Sequence, residues 1–304
     1  YAVGDAIEVK HYINGAESLI PLAWPANRQG RIVADTILGI RQKPYTGSLG
    51  TSILKAFDLT VSATGLNEKT LKRLGIPYMV TTVNRNDHAS YYPGATPLTL
   101  KLIFNKEGDI LGAQAIGYKG VDKRIDIIAT AIKGNLKVWD LQEVEVAYAP
   151  PYNSAKDPVN IAGYAAENMI NGEQETFRYF EIDELLQDSN YQLLDVRTKM
   201  ENRLGTIKDS INIDVNELRD NLDSLNRDKT YLVFCQVGLR GYLAYRILVQ
   251  NGFKVKNLDG GYRLWSHTVQ EQENKNIFKE DNFKHKDLNS CEEVKELVDE
   301  EKEV

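Results

Sequence analysis

The residue with the sharpest chemical meaning is Cys235, in the run Tyr231-Leu232-Val233-Phe234-Cys235-Gln236-Val237-Gly238-Leu239-Arg240-Gly241. Four residues of strand type lead into the thiol, and a helical pattern begins within five residues of it. In an open α/β sheet the carboxyl end of a strand is where ligands bind. A short loop entering a helix turns successive backbone amides inward, an arrangement that holds anions. Gly238 permits the tight bend this needs. The helix N-terminus and the Arg240 guanidinium both favour thiolate over thiol, the form a nucleophilic cysteine requires. The candidate residues are therefore Cys235 as nucleophile, Arg240 as cation, and Gln236, Val237, Gly238 and Leu239 as the surrounding loop. The same residues admit a plainer account, an inert buried cysteine at a strand end, and taken alone they leave both open.

Such a loop needs a parallel sheet beneath it, and the surrounding pattern supplies one. Strand composition recurs at Tyr191–Val196, Tyr231–Phe234 and Val255–Leu258, with helical patterns at Val215–Leu225 and Leu239–Asn251. This alternation predicts a mainly parallel sheet with helices on its faces. Upstream, residues 49–166 read as α+β. Ser52 to Leu66 and Tyr78 to Val83 have strand composition. Leu98, Leu100, Leu102 and Phe104 alternate as on a half-buried strand, which Lys106-Glu107-Gly108-Asp109 turns back into Ile110–Ile116. Ile125, Ile128 and Ile132 mark a helix closed by Gly134-Asn135. The first 47 residues read as the end of a domain: a strand over Tyr1–Ile7 ending at the Gly4-Asp5 turn, then a helix starting near Trp24-Pro25-Ala26-Asn27 with Gly39 beyond its end. Asn171 to Glu175 is a polar linker.

Composition narrows the class without naming it. The 304 residues carry 37 basic and 43 acidic side chains, a net charge of −6. The segment 271–304 alone has 12 acidic and 6 basic residues, so the body is neutral and offers no electrostatic footprint for nucleic acid. Two cysteines, Cys235 and Cys291, exclude a disulfide scaffold. No apolar run approaches the roughly 18–20 residues of a membrane span, so a cytoplasmic location is expected. His11, His88, His267 and His285 are scattered without metal-ligand spacing and read as solvent or loop histidines; no metal is expected. Tyr1 opens the chain without a methionine, which suggests a fragment or processed chain whose front is missing.

From Glu181 to about Trp265 the chain resembles a single-domain rhodanese. Leu194-Asp195-Val196-Arg197 is similar to that family's opening strand motif, Gly205-Thr206 through Asn212-Ile213 to its following segment, Cys235 to Arg240 to its catalytic loop, and Gly260-Gly261-Tyr262 to its closing segment. Thr206 and Asp209 depart from the usual histidine and glycine. The resemblance implies that Cys235 takes a sulfane sulfur as a persulfide and passes it to a thiol. The runner-up for the loop is a cysteine phosphatase, but those resemble Cys-x5-Arg, whereas Cys235 to Arg240 is Cys-x4-Arg, which suits one sulfur better than a phosphate. A non-catalytic docking or regulatory module is the other alternative.

Residues 1–166 resemble the C-terminal half of a flavin-dependent pyridine nucleotide-disulfide oxidoreductase of the coenzyme A-disulfide reductase kind, including the form fused to a rhodanese. The resemblance rests on Tyr1-Ala2-Val3-Gly4-Asp5-Ala6, on Pro21-Leu22-Ala23-Trp24-Pro25-Ala26-Asn27-Arg28-Gln29-Gly30, and on Tyr148-Ala149-Pro150-Pro151-Tyr152 with Ala155-Lys156-Asp157-Pro158. It implies FAD held partly by Gly4, Asp5, Pro21, Leu22 and Ala23, NAD(P)H as reductant, coenzyme A as substrate, and a homodimer. It further implies that Tyr91 and Tyr148 reach the partner's flavin site. Lys156-Asp157 is read either as a phosphate contact or as a surface pair. No Gly-x-Gly-x-x-Gly follows a strand, and residues 1–166 contain no redox cysteine. The chain by itself is therefore expected neither to bind flavin tightly nor to reduce a disulfide. The fold class expected is α/β and α+β: the end of a flavin-binding domain (1–48), an α+β dimerisation domain (49–170), a doubly wound α/β rhodanese domain (176–268) and an acidic tail (269–304).

Overall fold

The computed structural model describes residues 1–269. Apart from Val269, the acidic tail lies outside the described residues, and with it His285 and Cys291. Tyr1–Arg263 form one compact unit and Leu264 begins a second.

The chain enters through a short antiparallel pair, β1 (Val9–Lys10) and β2 (Glu17–Ser18), followed by helix α1 (Ala23–Ile37). Tyr1–Ile7, expected as a strand, is a loop with a single 3₁₀ turn over Gly4–Ala6. A strand needs a neighbour to satisfy its backbone. Here the Gly4 amide instead donates to Gln29 Oε1 of α1 at 2.7 Å. Gly39, at φ 66, lies one residue past the α1 C-cap Leu38, as its position predicts.

The first sheet is antiparallel, in the order β3-β4-β7-β6-β5, built from β3 (Ser52–Ala56), β4 (Leu59–Gly65), β5 (Met79–Asn86), β6 (Pro97–Phe104) and β7 (Ile110–Gly117). The stretch Ser52–Leu66, one run by composition, folds back at Phe57-Asp58. Phe57 takes φ 54 at the tip, a left-handed position that an aromatic residue rarely adopts, so no turn signal betrays it. Helix α2 (Glu68–Leu74) follows, capped by the Asn67 side chain. The alternation in β6 places Leu98, Leu100, Leu102 and Phe104 in one core. That core also holds Ile125 and Ile128 of α3 (Val121–Lys133) and Val159, Ala162 and Ala166 of α5 (Pro158–Ile170), beyond the short α4 (Asp140–Glu143). Burying each such large side chain stabilises the fold by roughly 1.5–3 kcal/mol.

The second sheet is parallel throughout, in the order β10-β9-β11-β12-β8, from β8 (Thr176–Phe177), β9 (Tyr191–Asp195), β10 (Ile211–Asn212), β11 (Thr230–Phe234) and β12 (Lys254–Leu258). Short helices α6 (Ile182–Leu185) and α7 (Lys199–Arg203) flank β9, and α8 (Leu239–Gln250) connects β11 to β12. The helix expected over Val215–Leu225 is a 3₁₀ segment, Leu218–Ser224. Asn221 donates to the Glu217 carbonyl and Ser224 to the Asn221 carbonyl. Such side chains compete with the α-helical ladder.

Candidate active site

β11 carries Cys235 to its carboxyl end, where the residue is fully enclosed at 0% exposure among Leu194, Val196, Val233 and Ala244. The thiol is nevertheless not surrounded by hydrocarbon alone: the Gly238 amide donates to Sγ at 3.1 Å. Gly238 can present that amide because its φ of 105 lies in a region open to glycine. Helix α8 starts at the next residue, and its first turn closes as Tyr242 N–H donates to the Gly238 carbonyl at 2.9 Å. The hydrogen bond to sulfur thus comes from Gly238, one amide of the four-residue loop expected to surround it.

The loop is braced from three sides. Behind it, Tyr262 N–H donates to the Cys235 carbonyl at 2.8 Å and Arg263 N–H to the Gln236 carbonyl at 3.0 Å. Gly261 makes this close approach possible: at φ 63, a Cβ there would sit 2.7 Å from the Cys235 carbonyl oxygen and 2.9 Å from Val237 N. Beside it, the buried Arg197 grips Asp195 with Nε at 2.9 Å and Nη2 at 2.7 Å, reaches Gln236 Oε1 at 3.2 Å, and stacks on the Tyr262 ring at 3.9 Å. Below, Asn257 Nδ2 donates to the Gly238 carbonyl at 3.3 Å.

Arg240, expected as the cation of the loop, makes a two-pronged pair with Glu201, Nη1 to Oε2 at 2.7 Å and Nη2 to Oε1 at 2.6 Å. Glu201 sits in a capping box with Thr198, the first-turn pattern Thr198-x-x-Glu201, which was legible in the sequence but carried no hint of Arg240. The Arg240 bond, followed by those from Thr198, holds the Glu201 carboxyl down at about 2 against partial burial. The same bond raises Arg240, with smaller contributions from the charges of Glu201, Cys235 and Asp214. The guanidinium therefore remains within electrostatic reach of the sulfur while its charge is paired.

Tyr91 and Tyr148, 57 residues apart, meet with their phenol oxygens 3.0 Å apart, and both are exposed. That bond raises the Tyr91 phenol above its ordinary value. The loop carrying Tyr91 is anchored by His88, whose Nδ1 lies 2.8 Å from Asp87 Oδ2. His88 lies in a loop as expected, but both it and His11 are buried and so are not solvent residues. Asp157 is likewise no surface residue. It is fully buried, caps α5 by accepting from Val159 N–H, and lies 3.1 Å from the buried Arg124. Lys156 is exposed, with Nζ 5.4 Å from the Tyr164 ring. At the chain's start Asp5 is exposed, and Pro21, Leu22 and Ala23 lead into α1 with no side-chain cap from Leu22.

Residues that carried no sequence signal join the two sheets. Asp259, buried just after β12, accepts from Thr82 N–H and Thr82 Oγ1 of β5, both at 2.7 Å, and Asn84 Nδ2 donates to the Gly260 carbonyl at 2.8 Å. Arg178 reaches Glu68 Oε1 at 3.2 Å, and Lys101 pairs with the same carboxylate. A cavity of about 400 Å³ opens beside this junction, with Arg85, Lys156 and Tyr164 on one wall and Val237, Gly238 and Leu239 on the other.

The chain joins two recognisable modules. Residues 51–158 match the dimerisation domain of the pyridine nucleotide-disulphide oxidoreductases, and residues 181–268 match the rhodanese-like domain. The relatives are coenzyme A disulfide reductases and their rhodanese-bearing counterparts. The chain is 40% identical over 168 residues to the coenzyme A disulfide reductase of Staphylococcus epidermidis, covering 55% of this chain and 38% of that protein. It is 42% identical over 169 residues to that of Staphylococcus aureus. The reduced CoADR-RHD of Bacillus anthracis superimposes with a TM-score of 0.86 at 56% identity, over 89% of this chain and 49% of that one. A NAD-dependent persulfide reductase from A. fulgidus gives 0.80 at 38% identity, over 87% and 48%. The chain thus spans less than half the length of these relatives. Among the described residues no helix is long and apolar enough to cross a membrane.

Proposed function

We propose that Cys235 carries sulfane sulfur as a persulfide, in the service of a flavin- and NAD(P)H-dependent reduction of coenzyme A disulfide or persulfide by a homodimer. The observation that carries this reading is the Gly238 amide 3.1 Å from Sγ, held by a backbone braced through Gly261 and Tyr262. The Cys235 thiolate attacks the outer sulfur of a sulfane donor. The donor's S–S bond breaks and its leaving group departs with the electron pair. The Gly238 amide then stays beside Sγ, the sulfur next to the anionic outer one. An acceptor thiolate, such as that of coenzyme A, attacks the outer sulfur in turn, leaving as a new persulfide and restoring the Cys235 thiolate. A neighbouring helix end and amide of this kind stabilise an anion without needing a full counter-charge.

The reductase side rests on residues suited to a flavin. The uncapped start of α1 leaves the Ala23 and Trp24 amides without a side-chain acceptor, and the exposed Asp5 carboxylate is available to hydroxyl donors. Bound there, a flavin supplies two-electron transfer from NAD(P)H; Asp5 and residues 21–23 at the start of α1 would orient it. Tyr91 and Tyr148 offer paired phenols to a departing thiolate on the partner subunit.

Mass spectrometry after incubation with a sulfane donor should find one added sulfur on Cys235, and Cys235→Ser should abolish sulfur transfer while circular dichroism stays that of the native fold. Transfer surviving in that variant would overturn the reading. The full enclosure of Cys235 favours a second account, a docking module with a passive thiol. Iodoacetamide near neutral pH separates them: a working Cys235 is alkylated as the loop opens, and a passive one is not. The phosphatase alternative is disfavoured because the Arg240 fork that would grip phosphate already holds Glu201.

A further inference from the structure

We infer that Glu201 is a specificity-determining residue that selects sulfur donors of low charge and disfavours dianionic ones such as thiosulfate. This rests on Cys235 acting in sulfur transfer, and concerns which donor reaches it.

The cysteine loop contains a single cationic side chain, Arg240. Its two terminal nitrogens lie 2.7 and 2.6 Å from the two Glu201 oxygens, so the loop's charge is matched within one ion pair. Both partners are only about one-third exposed, which preserves the pair better than full solvent contact would. Glu201 is held rigidly from the other side, accepting from Thr198 N–H at 3.0 Å and from Thr198 Oγ1 at 2.9 Å. With its carboxyl kept down at about 2, chiefly by Arg240, it stays ionised through the whole range in which a thiolate works. Asp214 adds a further negative charge felt by Arg240. A donor approaching Sγ therefore meets the Gly238 amide and a guanidinium whose charge is already paired.

The consequence differs by donor. With thiosulfate, the Cys235 thiolate attacks the outer sulfur, the S–S bond breaks and sulfite leaves with the electron pair, so two negative charges must enter and two must depart past the ion pair. With an alkyl persulfide, a monoanion near neutral pH, the same attack expels a thiolate, and one charge is brought in instead of two. The dianion therefore gains more from an unpaired guanidinium. Removing the Glu201 charge should favour the dianion over the monoanion by roughly tenfold at low salt, the scale of a unit charge acting on the dianion's additional charge a few ångströms away near a protein surface.

The test compares kcat/KM for thiosulfate with that for 2-hydroxyethyl persulfide in the whole chain and in Glu201→Gln. Glutamine keeps the capping box, which accepts either residue at this position. The ratio of thiosulfate to persulfide should rise about tenfold in the variant, through a lower KM for thiosulfate, and fall back toward the original value as salt shortens the Debye length. A rise of less than about threefold, on the same electrostatic scale, would overturn the inference while leaving sulfur transfer intact. A second readout needs no variant: thiosulfate turnover by the unmodified chain should vary little with ionic strength, and steep suppression by salt would reveal an unpaired cation and overturn the inference too. Failure of both donors to load Cys235 would instead remove the sulfur-transfer reading, and this inference with it.

Discussion

A thiol becomes a sulfur carrier through what its immediate neighbours present to it. At Cys235, the proposed carrier, these are one amide hydrogen, a helix start and a paired guanidinium, an arrangement suited to a single soft anion. The phenols of Tyr91 and Tyr148 follow the same logic of mutual tuning. Because the shared hydrogen bond raises Tyr91, Tyr148→Phe should let the Tyr91 phenol ionise at lower pH, read from its phenolate absorbance in a pH titration. An unmoved titration would mean that the two phenols are not paired in solution.

Elements, more than residues, decide whether the loop can hold its shape. β11 and α8 set its two ends, but the bend between them is pressed into place by the segment following β12. Asp259 and Gly260 are fixed to β5 through Thr82 and Asn84; of the next residues, Gly261 packs against the loop backbone and Tyr262 and Arg263 donate to the Cys235 and Gln236 carbonyls. Gly261→Ala adds a methyl group 2.7 Å from the Cys235 carbonyl oxygen at a left-handed backbone position. We expect it to cost about 1–3 kcal/mol of stability by chemical denaturation. Sulfur loading of Cys235 should fall by more than tenfold, on the sensitivity of catalysis to small displacements. Native loading rates in that variant would show that the closing segment does not position the loop.

The whole molecule depends on how the antiparallel and parallel sheets are clamped. Glu68 on α2 receives Lys101 from β6 and Arg178 from the start of the second module. Burial pushes its carboxyl up, but the two cations outweigh this and hold it at about 2 against an ordinary 4.5. A carboxyl depressed in the folded state stabilises fully above its unfolded value, and that contribution is lost as pH falls through the folded one. Stability should therefore decline between pH 4.5 and about 2. Glu68→Gln should be less stable than the unmodified chain at neutral pH and flatter across this window, as followed by thermal unfolding at several pH values. An identical slope in both would remove Glu68 from the clamp.

How much of this was legible beforehand depended on range. The β6 alternation, the α3 isoleucines and the strand–loop–helix around Cys235 are patterns within a few residues, and each formed near its expected place. The hairpin at Phe57-Asp58 was not legible, because a left-handed aromatic residue carries no turn signature. Val215–Leu225 misled because Asn221 and Ser224 satisfied backbone carbonyls that a regular helix would have used.

What the sequence determined alone was the order of its modules, and it marked the residue proposed as the chemical centre, since periodicity and a short motif are local properties of a chain. Tertiary structure decided that Arg240 is engaged by Glu201, that Asp157 is buried against Arg124, and that Thr82 meets Asp259 across 177 positions. Those pairings depend on which surfaces packing brings together and on the need to satisfy charges removed from water. No spacing along the chain encodes either.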